Sequence, residues 1–147
     1  MTEQTIKRDI NISHIILWFL NFEQSQEDIT SHLGLTPTKT AIKGQEYSTS
    51  ESLKSKRIHK FSIWEFEWKV DSNKLVGDLA EIFINEIIKP RVNEIKMLAD
   101  SIDAEFKIVQ YYYDGYNPGY HLTVDNMKTL TEANLELDID TYCLSQA

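Results

Sequence analysis

From Ile10 to Phe22 the chain reads as one long strand whose two faces are both apolar. Ile10, Ile12, Ile16, Trp18, Leu20 and Phe22 fall on one face, interrupted by His14, and Ile15, Leu17 and Phe19 fall on the other. A strand apolar on both sides belongs in the middle of a sheet. The residues that follow, Ser25 to Leu33, read as a short helix. The Ser25 hydroxyl is placed to accept a first-turn N–H, Glu27 and Asp28 sit at the positive end of the helix dipole, and Ile29 and Leu33 share a face. Gly34 supplies a left-handed stop and Pro37 discourages resumption. A second strand–helix–strand unit closes the chain: a strand over Tyr120 to Val124, a helix capped by Asp125 and running to Asn134, and a last strand over Leu135 to Leu144. Such units require a sheet with helices laid on it. They specify no reaction.

Between the two units the pattern continues. Thr38 to Ile42 reads as a short strand. Residues 43–57, rich in serine and basic residues, read as a mobile loop, with a binding loop as the alternative. His59 to Val70 alternates, with Trp64, Phe66, Trp68 and Val70 on one face. Leu75 to Lys89 has helical spacing, Pro90 breaks or kinks it, and a second helix continues to Ile102. Ala104 to Tyr113 reads as a strand, joined to the one at Tyr120 by a hairpin through Asp114-Gly115-Tyr116-Asn117-Pro118-Gly119. The expected order is β-α-β, β-αα-β, β-α-β. The expected fold is a single α+β domain over residues 1–147, with a flexible tail at 1–9. Its sheet is mixed, mostly antiparallel and five- or six-stranded, with helices mainly on one face.

These residues carry a family resemblance. The first strand leads into Asp28-Ile29-Thr30-x-x-Leu33-Gly34-Leu35-x-Pro37, then a Lys43-Gly44 pair and a strand around Trp64. Later come Gly119-Tyr120-His121-Leu122 and Leu137-Asp138-Ile139-Asp140-x-Tyr142. In this order, over about residues 10–143, the motifs resemble the bacterial domain-of-unknown-function 4279 family of small proteins. The resemblance implies the α+β fold and a bacterial origin, and brings no catalytic residue or cofactor with it. Some small acidic bacterial proteins are immunity partners of toxins, which makes that role an expectation here.

Composition narrows the partner classes. The net charge is −8, from 23 acidic and 15 basic residues. That sign repels phosphate backbones and attracts basic partners, so a protein partner is expected and nucleic acid is not. Cys143 is the single cysteine, so no internal disulfide forms. The N-terminal residues lack a secretory pattern and the apolar run ending at Leu20 is too short to span a bilayer, so a cytoplasmic location without membrane attachment is expected. The oligomeric state is left open.

For chemistry, the chain has no glycine-rich phosphate loop, no zinc spacing and no G-x-S-x-G elbow, so no cofactor is expected. The densest candidate is aromatic: Tyr111, Tyr113, Tyr116 and Tyr120, with His121 beside them, as a binding surface. Asp138 and Asp140, two apart on the last strand, project to one face in a row with Glu136. They read either as a charged solvent-facing edge or as carboxylates of a weak metal site. Cys143 is expected to be partly buried. Two functions follow: a non-enzymatic interaction protein, with an immunity-type partner of a toxin as its concrete form, and a small hydrolase or metal-dependent enzyme using Asp138, Asp140 and His121.

Overall fold

The computed structural model describes residues 11–47, 57–71, 75–113 and 119–144. Tail residues 1–9, most of the expected loop and Tyr116 lie outside them. The central strand is β1 (Ile12–Leu20). It pairs antiparallel on one side with β5 (Ile63–Asp71) and on the other with β6 (Asp103–Tyr113). The short β2 (Lys39–Ala41) adds antiparallel to β5, and β7 (Glu136–Leu144) adds parallel to β6. The sheet order is thus β2-β5-β1-β6-β7. A separate pair joins β3 (Glu46–Tyr47) to β4 (Arg57–Ile58), inside the stretch expected to be loop. This is the mixed, mostly antiparallel α+β architecture that the patterning demands.

Helices cover one face. On α1 (Gln26–Leu33) the Ser25 side chain accepts from the Asp28 amide, and Gly34 ends the helix with φ 65°. From Val76 the chain runs as α2 (Val76–Phe83), a π-helical turn at Ile84–Ile88, a 3₁₀ turn at Lys89–Arg91, and α3 (Val92–Ala99). Pro90 has no N–H to donate back into the helix, so a wider turn precedes it and a tighter turn contains it. The Arg91 guanidinium donates to the Leu33 and Ile87 carbonyls at 2.8 and 3.0 Å, tying the end of α1 to this bend. Ile15, Leu17 and Phe19 of β1, Trp64 of β5, and Phe106 and Ile108 of β6 meet Leu79, Phe83, Ile84 and Ile88 from this run in one core.

Three expectations need correction. Tyr120 to Val124 is not a strand, and the hairpin to Ala104–Tyr113 does not form. The place beside β6 is taken by β7, which arrives in parallel through the crossover helix α4 (Val124–Glu132). The helix starts earlier than expected because Thr123, not Asp125, caps it: the Thr123 hydroxyl accepts from the Asn126 amide at 3.1 Å. Cys143 is exposed, not partly buried, because β7 is an edge strand.

Candidate functional site

Strand alternation sends the other half of each strand to a face on which, among the described residues, no helix packs. The central strand contributes His14, Ile16 and Trp18 to it. Register places Glu67 and Lys107 beside Ile16, and Glu65 and Glu105 on either side of Trp18. β7 adds Glu136, Asp138, Asp140 and Tyr142 in line with Glu105, Lys107, Val109 and Tyr111 of β6. Parity had made β1 apolar on both faces, and Ile16 is indeed 8% exposed. Glu67 and Lys107 stand on either side of it, where long side chains lend their stems as cover in place of a second helical layer.

Lys107 is the hub of this face. Its ammonium lies 3.0 Å from an Asp138 oxygen and 2.9 Å from an Asp140 oxygen, and 5.2 Å from the centre of the Trp18 ring. Burial works against its charge, but the hydrogen bonds to Asp140 and Asp138 outweigh it and hold its pKa above the ordinary lysine value. The two glutamates flanking Trp18 behave alike. Burial pushes Glu65 up, with Lys39 opposing and Glu67 adding to the rise. Burial also pushes Glu105 up, reinforced by the negative charge of Asp138. The Trp18 indole N–H is shielded from water and finds no hydrogen-bond partner among the described residues. Farther along the face, Tyr111 stacks on Tyr142 with centroids 5.0 Å apart and meets the His14 ring edge-on at 5.9 Å. His14 Nδ1 is paired with the Glu67 carboxylate.

The expected residues therefore separate. Tyr111 and Tyr113 lie on the uncovered face. Tyr120 is on the helix side, where its hydroxyl meets Thr141 Oγ1 at 2.7 Å. His121 is also on that side, its backbone against Gly77 of α2. Asp138 and Asp140 share the uncovered face and are engaged by Lys107, so the sheet stands between them and His121. The triad required by a hydrolase or metal enzyme is not assembled, and no group of three His, Cys, Asp or Glu side chains among the described residues is disposed to hold a metal ion. Residues that sequence reasoning missed are Trp18, Glu65, Glu105, Lys107 and Tyr142. Their signal was the odd or even parity shared by five strands, legible only once strand order is known.

A concavity of about 920 Å³ elsewhere has the opposite sign. Lys43, Arg57, His59, Lys60 and Phe61 line it, with Tyr47 stacked on His59 at 4.2 Å. No helix among the described residues is long and apolar enough to cross a membrane.

The family model described as Domain of unknown function (DUF4279) matches residues 11–144, from the first residue of the described fold to the end of β7. The chain belongs to this family. DUF4279 thus corresponds in this protein to the whole sheet and its helical layer, uncovered face included. No curated protein and no solved structure matches the chain.

Proposed function

We propose that this DUF4279 protein is a non-enzymatic interaction protein that docks a basic protein partner on the uncovered face of its sheet, as a bacterial, cytoplasmic immunity protein would dock a basic toxin. The observation that carries this reading is the pair of carboxylates, Glu65 and Glu105, placed on either side of Trp18 on a face that no helix of the described residues covers. Both are under-solvated, so an incoming ammonium or guanidinium relieves a cost already present in the fold. Trp18, Tyr111 and Tyr142 supply the wide aromatic surface on which such interfaces concentrate their energy. The carboxylates disfavour nucleic acid on the same face, and a reducing cytoplasm suits the exposed Cys143 thiol.

The test is a ¹⁵N NMR titration with hexalysine, with hexaglutamate as control. The expected result is that hexalysine shifts the Trp18 indole and the Tyr111 and Tyr142 amides, and that Tyr142→Ala weakens the binding several-fold without changing the thermal midpoint. Shifts centred elsewhere, or equal shifts with hexaglutamate, would reject the assignment.

A further inference from the structure

We infer that the free edge of β7 accepts a strand from the partner, and that this strand alternates basic with apolar residues. The inference rests on the reading of the uncovered face as a docking surface, and names the element of the partner that reaches it. The two edges of the sheet differ sharply. β2 is a three-residue strand, too short to template another. β7 runs for nine residues, Glu136 to Leu144, and among the described residues it pairs with β6 alone. Its outer row of backbone donors and acceptors is therefore available along about 30 Å of strand. No proline, lysine or glycine interrupts it, although these are common devices for blocking an edge.

The side chains of β7 state what would fit. On the uncovered face it presents Glu136, Asp138 and Asp140, followed by Tyr142. Asp138 and Asp140 both hold the Lys107 ammonium, and Glu105 lies within reach of its charge. On the helix side Leu137 and Ile139 remain 44% and 38% exposed, although they lie in register with the buried Phe106 and Ile108. An added strand would cover them. The complement is a strand with lysine or arginine opposite the acidic positions and valine, isoleucine or leucine opposite the apolar ones. A second copy of this chain fits worse: antiparallel pairing along the full strand sets Asp140 against Asp140.

The probe is a fluorescein-labelled nonapeptide alternating lysine with valine. A peptide of the same composition with its lysines and valines in blocks is one control. The alternating peptide N-methylated at alternate backbone amides, in both phases, is the other. Binding is read by fluorescence polarisation and hydrogen exchange of the β7 amides by NMR, with the mass in solution read by light scattering. The expected result is roughly tenfold tighter binding of the alternating peptide than of the block form, about what three opposite-charge cross-strand pairs supply. One phase of N-methylation abolishes binding, alternate amides of β7 exchange more slowly, and Glu136→Lys weakens binding. Equal binding of all cationic forms with no β7 protection overturns strand addition while leaving the docking face in place. Loss of the hexalysine response as well overturns both. Peptide-independent dimerisation that protects β7 assigns the edge to a second copy and overturns the inference.

Discussion

A methyl group added at Gly77 would stand 3.1 Å from the His121 carbonyl oxygen and 3.2 Å from its amide nitrogen. Both are backbone atoms, so neither can swing away, and the segment leading into α4 would have to shift. Alanine is otherwise favoured over glycine in a helix by about 1 kcal/mol. Steric crowding of this kind costs about 1–3 kcal/mol, so Gly77→Ala is expected to be net destabilising, read as a lower urea midpoint at unchanged m-value. Glu105 gives a residue-scale prediction of opposite sign. Its folded pKa lies above the ordinary 4.5, so ionising it costs more in the fold than in the unfolded chain. That cost is present at pH 7 and absent below pH 4.5, where both states are protonated. Glu105→Gln is expected to raise the thermal midpoint at pH 7 by the equivalent of less than about 1 kcal/mol, since the site is only partly buried and water screens it. The advantage should vanish in scans below pH 4.5.

Elements are joined by a few such contacts. The fully buried Trp64 of β5 donates its indole N–H to Thr30 Oγ1 of α1 at 3.0 Å, and its ring packs edge-on to Phe19 at 5.7 Å. Thr30→Val keeps the volume and removes the acceptor, leaving a shielded donor unpaired. A loss of about 1–3 kcal/mol is expected, measured by denaturant unfolding, with Thr30→Ser retaining most of the stability. Elements of this kind were legible in the sequence because each declares itself locally: two-residue alternation in β5 and β6, the Ser25 cap and Gly34 stop of α1, the proline at the bend between α2 and α3. What failed was pairing. Tyr120 to Val124 has strand-forming residues beside a turn-rich stretch, and a hairpin follows if β6 is assumed to pair with its next neighbour. The parallel β6–α4–β7 crossover removes that partner, and the Thr123-x-x-Asn126 cap then starts the helix at Val124, the last residue of the expected strand. The uncovered face was hidden for a related reason. Parity shows that Ile16 and Trp18 share a side of β1, but only strand order shows that glutamates and a lysine flank them and that no helix of the described residues covers them.

Across the whole molecule, charge is divided by location: an acidic sheet face, and a basic cleft lined by Lys43, Arg57 and Lys60. The acidic face coheres through Lys107. Replacing that residue with methionine keeps an unbranched side chain beside Trp18, so the variant isolates the ammonium that lies over the ring. Without it, Asp138, Asp140 and Glu105 remain together on the face with their mutual repulsion uncompensated. The expected loss at neutral pH is about 1–2 kcal/mol, between the ranges for exposed and buried ion pairs. The pH dependence identifies the cause. The pKa of Lys107 is raised in the fold above the ordinary 10.5, so its contribution is fully present below that value and is lost as pH rises through the folded value. The gap in urea midpoint between the wild type and Lys107→Met should therefore stay level from pH 7 to pH 10 and close only above 10.5. A gap of the same size on both sides of that window would mean that packing against Trp18, and not charge, is what Lys107 contributes. The acidic face would then be held together by its aromatic floor alone.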